Sequence, residues 1–204
     1  MSSTREAKRN LLRERLIDAA EIELNEKGLK GLKARDVTKR AGCALGALYN
    51  AVDDLDMLIL EVNSRTLTHI GETLEVAVPN PDAPAETILQ SLAEAYVDYA
   101  IKHRNHWLAL FEHRMPDDRD IPDRHKQNHA MLIGVISPAL AKLRPDLTAD
   151  QLTMRARTTF AAVHGVVYLA LQGQFVGVPM PALKSEVAAL VSTMARSSAA
   201  ASTV

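Results

Sequence analysis

The chain has 204 residues, 47% of them hydrophobic and only 4% aromatic, with a formal net charge of −1. This is long enough to bury a proper core, as one large domain or two small ones, and abundant Ala and Leu with few β-branched runs favours helices. No apolar run approaches a membrane-spanning helix and the N-terminus has no signal-peptide core, while the single cysteine excludes an intrachain disulfide and fits a reducing cytoplasm.

Ser3-Thr4-Arg5-Glu6 has the form of a capping box and predicts a first helix that runs to about Lys27 and stops at Gly28. Two short helical patterns follow, about Lys33 to Arg40 and about Ala44 to Asn50, separated by Ala41-Gly42-Cys43. The first keeps Ala34 and Val37 on an apolar face with Lys33, Arg35, Lys39 and Arg40 outside; the second turns Leu48 toward that face. Gly42 suits the sharp corner because it takes φ > 0 at little steric cost. Two helices meeting at a short Gly-containing turn predict a helix-turn-helix, whose second helix can enter the DNA major groove.

Asp53 or Asp54 can cap a fourth helix to about Val78, broken by Pro79, Pro81 and Pro84. Thr87 to Lys102 is amphipathic, with Ile88, Leu92, Ala95, Tyr96 and Tyr99 on its apolar face, and residues 105–114 read as a short helix before a polar loop over 115–123. A helix from about Arg124 to Leu143 contains Pro138, which should kink or split it. Thr148-Ala149-Asp150-Gln151 is a second capping box; it opens a long helix to about Gln174 that is apolar nearly all round in its second half. Val178-Pro179-Met180-Pro181 leads into a last helix to about Arg196, and the tail over 197–204 is expected to fray. The fold class is all-α, with a helix-turn-helix domain over 1–52 and a second helical domain over 53–204.

Charge divides along the same boundary. Residues 1–50 carry 11 Lys+Arg against 7 Asp+Glu, whereas residues 51–204 carry 13 against 18. A basic module on an acidic body fits a chain that meets polyanionic DNA at one end only. Lys33, Arg35 and Lys39, with Arg5, Lys8 and Arg9 on the first helix, are the phosphate candidates, although charge runs also simply solvate a surface. The outward residues of the recognition helix, Ala44, Leu45 and Ala47, have no hydrogen-bonding side chain, so base reading would rest on thymine methyls, with Asn50 near a base or phosphate.

The segment from Gly28 to Leu58 resembles the DNA-binding domain of TetR-family transcriptional regulators. Gly28, Leu29, Leu32, Val37, Ala41, Gly42, Gly46, Leu48, Tyr49 and Leu58 match that pattern, and Ile17, Ala19, Ala20 and Leu24 fit the helix before it. Cys43, Ala44, Ala51, Val52 and Leu55 depart from it, standing where the family usually has Val, Ser, His, Phe and Lys. The resemblance implies that Tyr49 touches the DNA backbone, and that Leu55 replaces a lysine that reaches a phosphate. A weaker resemblance, carried by Trp107 and by the His164-Gly165 pair, extends to the C-terminal domain of one TetR subgroup.

Together these imply a ligand-responsive DNA-binding regulator: a repressor released from a palindromic operator by a small-molecule effector. The alternative is a relative acting through protein contacts without DNA. The DNA-binding set is Lys33, Arg35, Lys39, Ala44, Leu45, Gly46, Ala47, Tyr49 and Asn50. Pocket candidates are Tyr96, Tyr99, Trp107, Phe111, Met131, His164 and Tyr168, each of which equally suits plain core packing. The family implies pairing of the last two long helices across a two-fold axis, and a helix apolar all round needs more than one neighbour. Val163, Val167, Leu171, Leu190 and Met194 are therefore expected at a homodimer interface, with Gly165, Ala161, Ala162 and Ala170 permitting close approach.

Other chemistry is weaker. Cys43, at the start of the recognition helix, reads either as a redox-sensitive thiol or as a small packing residue. His103, His106 and His113, and His125 with His129 at i, i+4, invite a metal reading but lack a thiol partner, and no metal or cofactor is expected. There is no Gly-rich phosphate loop, no G-x-S-x-G and no di-iron E-x-x-H pair, so the chain is not expected to be an enzyme.

Overall fold

The computed structural model describes residues 2–78, 80, 82–116 and 119–196, with side chains from Thr4 onward. These form helices α1 (Ser2–Gly31), α2 (Ala34–Arg40), α3 (Leu45–Ala51), α4 (Leu55–Val76), α5 (Ala85–Lys102), α6 (Arg104–Glu112), α7 (Asp123–Leu143), α8 (Ala149–Leu171) and α9 (Leu183–Arg196), with a 3-10 turn at Met180–Ala182 before α9. No strand occurs among the described residues.

Several boundaries follow local chemistry. Gly28 breaks the regular course of α1 with φ 69° and ψ 175°, a left-handed backbone that glycine adopts without a Cβ clash. Thr148 and Gln151 form the reciprocal capping box of α8, with the Thr148 amide donating to Gln151 Oε1 at 2.9 Å and the Gln151 amide to Thr148 Oγ1 at 3.3 Å. The helix ends at Leu171 rather than near Gln174 because Gly173 turns left-handed at φ 65°. α7 runs through Pro138 without splitting. α4 ends at Val76, before the prolines; Pro79 and Pro81, like the tail over 197–204, lie outside the described residues. The same holds for the side chain of Ser3, and α1 begins at Ser2, so Ser3 lies inside the helix rather than at its cap.

The chain divides into two compact units, Met1–His69 with His103–Asn128, and Ile70–Lys102 with His129–Val204. The expected cut at 52/53 therefore falls inside the first unit, which also recruits α6. In that unit Leu16, Ala20 and Leu24 of α1 recur every fourth residue, one face of a helix, and pack with Val37, Leu48, Leu58, Val62 and Ala109. α6 lies on α1 with Trp107 fully buried; the Asn105 side-chain amide donates to the Asn25 carbonyl at 2.7 Å, and His106 Nε2 lies 3.1 Å from the Glu21 carbonyl.

The second unit packs α5 against α8 and α9. Ala156, Thr159, Val163, Val167 and Ala170 form the inward stripe of α8, and Leu183, Val187, Val191 and Ala195 that of α9. A polar seam ties α5 to α9: Gln90 donates to Ser192 Oγ at 2.9 Å, Ser192 donates to Glu86 at 2.8 Å, and Lys184 pairs with Asp98 at 2.6 Å. α4 and α7 each supply residues to both units.

Candidate nucleic-acid interface and effector cavity

In the first unit α2 and α3 are too short to be stable alone; burial of Val37, Thr38 and Leu48 holds them. The turn between them is fixed by backbone bonds, Gly42 N to Lys39 O at 3.2 Å and Cys43 N to Thr38 O at 3.0 Å, with Gly42 at φ 66°. Arg15 of α1 donates from its guanidinium to the Ala41 carbonyl, pinning the corner to α1. An ionic clamp holds α2 to α1: Glu23 pairs with Lys27 at 2.6 Å and Arg40 at 2.7 Å, Lys27 with Asp36 at 2.9 Å, and Arg40 with Glu26 at 2.6 Å. Hydrogen bonds from Lys27 and then Arg40 hold the buried Glu23 carboxyl below its ordinary pKa.

The clamp sorts the basic residues. Lys27 and Arg40 are committed to carboxylates, whereas Lys33, Arg35 and Lys39 are exposed and carry no ion pair among the described residues. On α3, Ala44, Leu45, Gly46, Tyr49 and Asn50 are exposed and Ala47 is half-buried, with Leu48 the buried anchor. The sequence-derived DNA set thus gathers on the outer faces of α2 and α3. A Cβ on Gly46 would meet nothing within 4 Å, so packing within the chain does not require glycine there. Arg5, Lys8 and Arg9 are exposed on α1.

Two departures from the family pattern acquire physical reasons. Leu55 is half-buried and packs against the core of the unit, so it is a packing residue rather than an exposed stand-in for a phosphate-binding lysine. Asp54 beside it caps α4 by accepting the Met57 amide at 2.8 Å and is itself paired with Arg119 at 2.6 Å. Cys43 packs against the same core, which accounts for a small apolar residue there. His106, His113 and His125 face separate partners, the Glu21 carbonyl, Asp56 and Ser64. Among the described residues no group of three His, Cys, Asp or Glu could hold a metal ion.

The second unit holds a part-open cavity of about 40 Å³. Leu74, Leu89, Leu92, Tyr96, Leu132, Ile136, Phe160, Val163 and Val191 supply most of its wall, with Thr159 the other polar side chain. Five helices, α4, α5, α7, α8 and α9, contribute. Beside it runs an aromatic ladder on α8, with Phe160 stacked on His164 at 6.0 Å between centroids and His164 tilted against Tyr168 at 6.0 Å. Tyr96 meets Phe160 edge-on at 5.6 Å, and its hydroxyl lies 3.1 Å from His164 Nδ1. Burial pushes the His164 imidazole down to about 4, so it is neutral at pH 7.

Of the expected pocket residues, Tyr96 lines this cavity, and His164 and Tyr168 sit on the adjoining ladder. Tyr99 is buried but is not part of the lining, and Met131 is 50% exposed. Trp107 and Phe111 belong to the other unit, with centroids 5.2 Å apart. Thr159 and Phe160 line the cavity and are not among the expected pocket residues; the sequence signal for Thr159 is a hydroxyl on the inward stripe of an amphipathic helix. The expected interface residues also divide. Val163, Val167 and Leu171 point into their own core, with Val167 fully buried, because they share the inward stripe of α8. Leu190 and Met194 are half-buried, while Ala161 and Leu169 face outward.

A family model described as tetracyclin repressor-like, C-terminal domain, matches residues 89–194. The transcriptional repressor KstR2 of Mycolicibacterium smegmatis is 23% identical over 146 residues, which is 68% of this chain and 70% of that protein. A protein of unknown function from Rhodococcus sp. RHA1 superposes with a TM-score of 0.69 at 24% identity, covering 91% of this chain and 94% of its own. RolR, solved with resorcinol bound, gives 0.68 at 21% identity, covering 94% and 89%. At these identities the two structural likenesses establish a common fold.

Proposed function

This chain belongs to the tetracycline-repressor-like (TetR) family of transcriptional regulators, and we propose from that membership a specific mode of action for it: a homodimeric repressor that leaves an inverted-repeat operator when a small molecule enters the second unit. The chain is a ligand-responsive DNA-binding regulator. The observation that carries the finer reading is the outer face of α2 and α3. There Lys33, Arg35 and Lys39 offer unpaired positive charge to phosphates, and Ala44, Leu45 and Ala47 offer apolar contact to bases. Asn50 adds one polar group, and Tyr49 one backbone contact. Such a face discriminates bases with few hydrogen bonds, so DNA shape supplements the reading.

A dimer sets two recognition helices at the spacing of two half-sites. The outward face of α8, with Ala161, Gly165 and Leu169, together with Leu190 and Met194 on α9, is the surface proposed for the partner. A Cβ on Gly165 would meet nothing within 4 Å inside the chain, which leaves room for close approach of a second helix. An effector works only if it binds one spacing better than the other. α4 is the natural lever, because its first turns lie in the DNA-binding unit and Leu74 near its end lines the cavity. The setting for this activity is the cytoplasm, where its DNA is reached. A relative acting through protein contacts alone is not favoured.

The test is a mobility-shift assay with duplex DNA from around the chain's own gene. Wild type should retard it, and Arg35→Ala should weaken binding of every sequence while flattening the salt dependence by about one counterion per subunit. Absence of any retardation, with the protein folded, overturns the reading.

A further inference from the structure

Thr159 is 3% exposed, and its hydroxyl has no hydrogen-bond partner. The two other threonines within α8 behave differently: Thr153 donates to the Ala149 carbonyl and Thr158 to the Met154 carbonyl, both at 2.9 Å. That return bond is the ordinary refuge of a helical hydroxyl, and Thr38, Thr66, Thr68 and Thr193 all take it. Thr159 does not, and it lines the apolar cavity. Buried polar groups left unpaired are rare and mark either strain or a missing partner. Water is a poor partner here, since a buried water wants two to four polar neighbours and this wall is almost entirely hydrocarbon and aromatic.

The rest of the lining restricts the partner further. It contains no Lys, Arg, His, Asp or Glu, so a charged ligand would be desolvated with nothing to compensate it. The neighbouring His164 is neutral and already bonded to Tyr96. The cavity of about 40 Å³ has room for a few water molecules but falls well short of the roughly 150 Å³ of a cavity that takes up a benzene ring, so any organic ligand must spread the helices that line it. The smaller the ligand, the smaller that displacement.

We infer that the effector of this regulator is a compact, uncharged, mainly apolar molecule of about one ring, bearing a hydroxyl or carbonyl that hydrogen-bonds to Thr159 Oγ1. This names the ligand class of the regulatory site and rests on the regulator reading above. The Thr159 hydroxyl both donates and accepts, so alcohols, phenols and ketones all satisfy it. Carboxylates and phosphate-bearing conjugates do not fit. Entry prises apart α5, α8 and α9 and reaches α4 through Leu74, which couples occupancy to the helix shared by both units.

The experiment uses three matched probes on the full chain without DNA at pH 7.5: 4-ethylphenol, ethylbenzene and 4-ethylbenzoate, followed by calorimetry and thermal shift. The phenol should bind about tenfold more tightly than ethylbenzene, the worth of one hydrogen bond to an otherwise unpaired group, and the benzoate should not bind. In Thr159→Val, which keeps the shape, the phenol should lose its advantage to within about threefold. The same variant should melt no lower than wild type, since an unpaired buried hydroxyl has been removed. Thr159→Ser should keep the preference. A preference that survives Thr159→Val, a benzoate that binds as well as the phenol, or no binding of any probe up to millimolar concentration each overturns the inference. Mobility shifts on the same samples judge the regulator reading separately: failure to bind DNA with phenol binding intact removes that reading and leaves the site standing.

Discussion

The helix-turn-helix corner of the first unit, the face proposed for DNA, and the cavity of the second are built on opposite plans. In the corner polar chemistry ties α2 to α1 and starts α4, with Arg15 on the Ala41 carbonyl, Glu23 between Lys27 and Arg40, and Asp54 on the Met57 amide, while α3 is anchored by the buried Leu48. The cavity wall is hydrocarbon with one unpaired hydroxyl. Directional bonds fix a recognition surface that must hold one geometry, whereas non-directional packing can yield and re-form around a guest. Rigidity where the chain reads and compliance where it senses are what a ligand-driven shift between two arrangements needs.

The largest effect should come from Val167→Asp. Val167 is fully buried on the inward stripe of α8, and an unpaired buried charge costs about 3–5 kcal/mol. The second unit should melt well below wild type by circular dichroism, as unfolding rather than clean dissociation into folded monomers. A folded V167D protein with wild-type melting would mean that α8 does not bury that stripe.

Next comes a matched pair of glycines. Gly42 and Gly173 have φ of 66° and 65°, so valine at either place suffers left-handed strain of roughly 1–3 kcal/mol. A Cβ at Gly42 also meets Arg15 at 3.3 Å, while at Gly173 it meets nothing within 4 Å. Gly42→Val should abolish operator retardation, whereas Gly173→Val should lower the melting temperature and leave DNA binding measurable. Equal loss of DNA binding in both would erase the distinction between the two regions.

Acid sharpens it in a different way. The folded pKa of Glu23 is depressed by Lys27 and Arg40, so its contribution is fully present above about pH 4.5 and lost as the pH falls through its folded value. His164 is depressed from 6.5 to about 4; its neutral burial favours folding above pH 6.5, and that advantage drains away between pH 6.5 and 4 as the unfolded chain takes up a proton. His164→Asn should flatten the melting-temperature profile between pH 6.5 and 4, and Glu23→Gln only below pH 4.5. Profiles that respond in the opposite windows would contradict both assignments.

The smallest effects lie on α3. Gly46→Ala should stabilise the helix by about 0.5–1 kcal/mol yet weaken operator binding, because the methyl projects from the face offered to DNA. If retardation is unchanged, that face is not in close contact. Tyr49→Phe should weaken all sequences by a similar few-fold factor, as loss of a phosphate contact does; a loss confined to one base position would give the hydroxyl a different role.

Legibility in the sequence followed the same divide. The helix-turn-helix was readable because its determinants are local, Gly42 at a corner with Val37 and Leu48 on either side of it, and the start of α8 was readable for the same reason, from Thr148 with Gln151. The cavity was not, because Leu74, Leu92, Leu132, Thr159 and Val191 converge from five helices, and no spacing along the chain encodes such a meeting. Trp107 illustrates the same failure. Its heptapeptide surroundings suggest only a buried helix, and nothing local reveals that the partner is α1 rather than α5 or α8.

That placement of α6 reaches into the chain's synthesis. The first unit is discontinuous, completed only by residues 103–128, and Ala109 belongs to the same core as Leu16 and Leu48. A nascent chain that has emerged only through α3 therefore lacks part of the wall of its own reading head. Local helices form early, but closure waits for a contact that bridges some 85 positions, between Glu21 and His106, and such long loops are slow to close. The ribosome must deliver most of the sensor's first helices before the reader is finished, so a fragment cut after residue 52 should be less stable than its length and motif suggest.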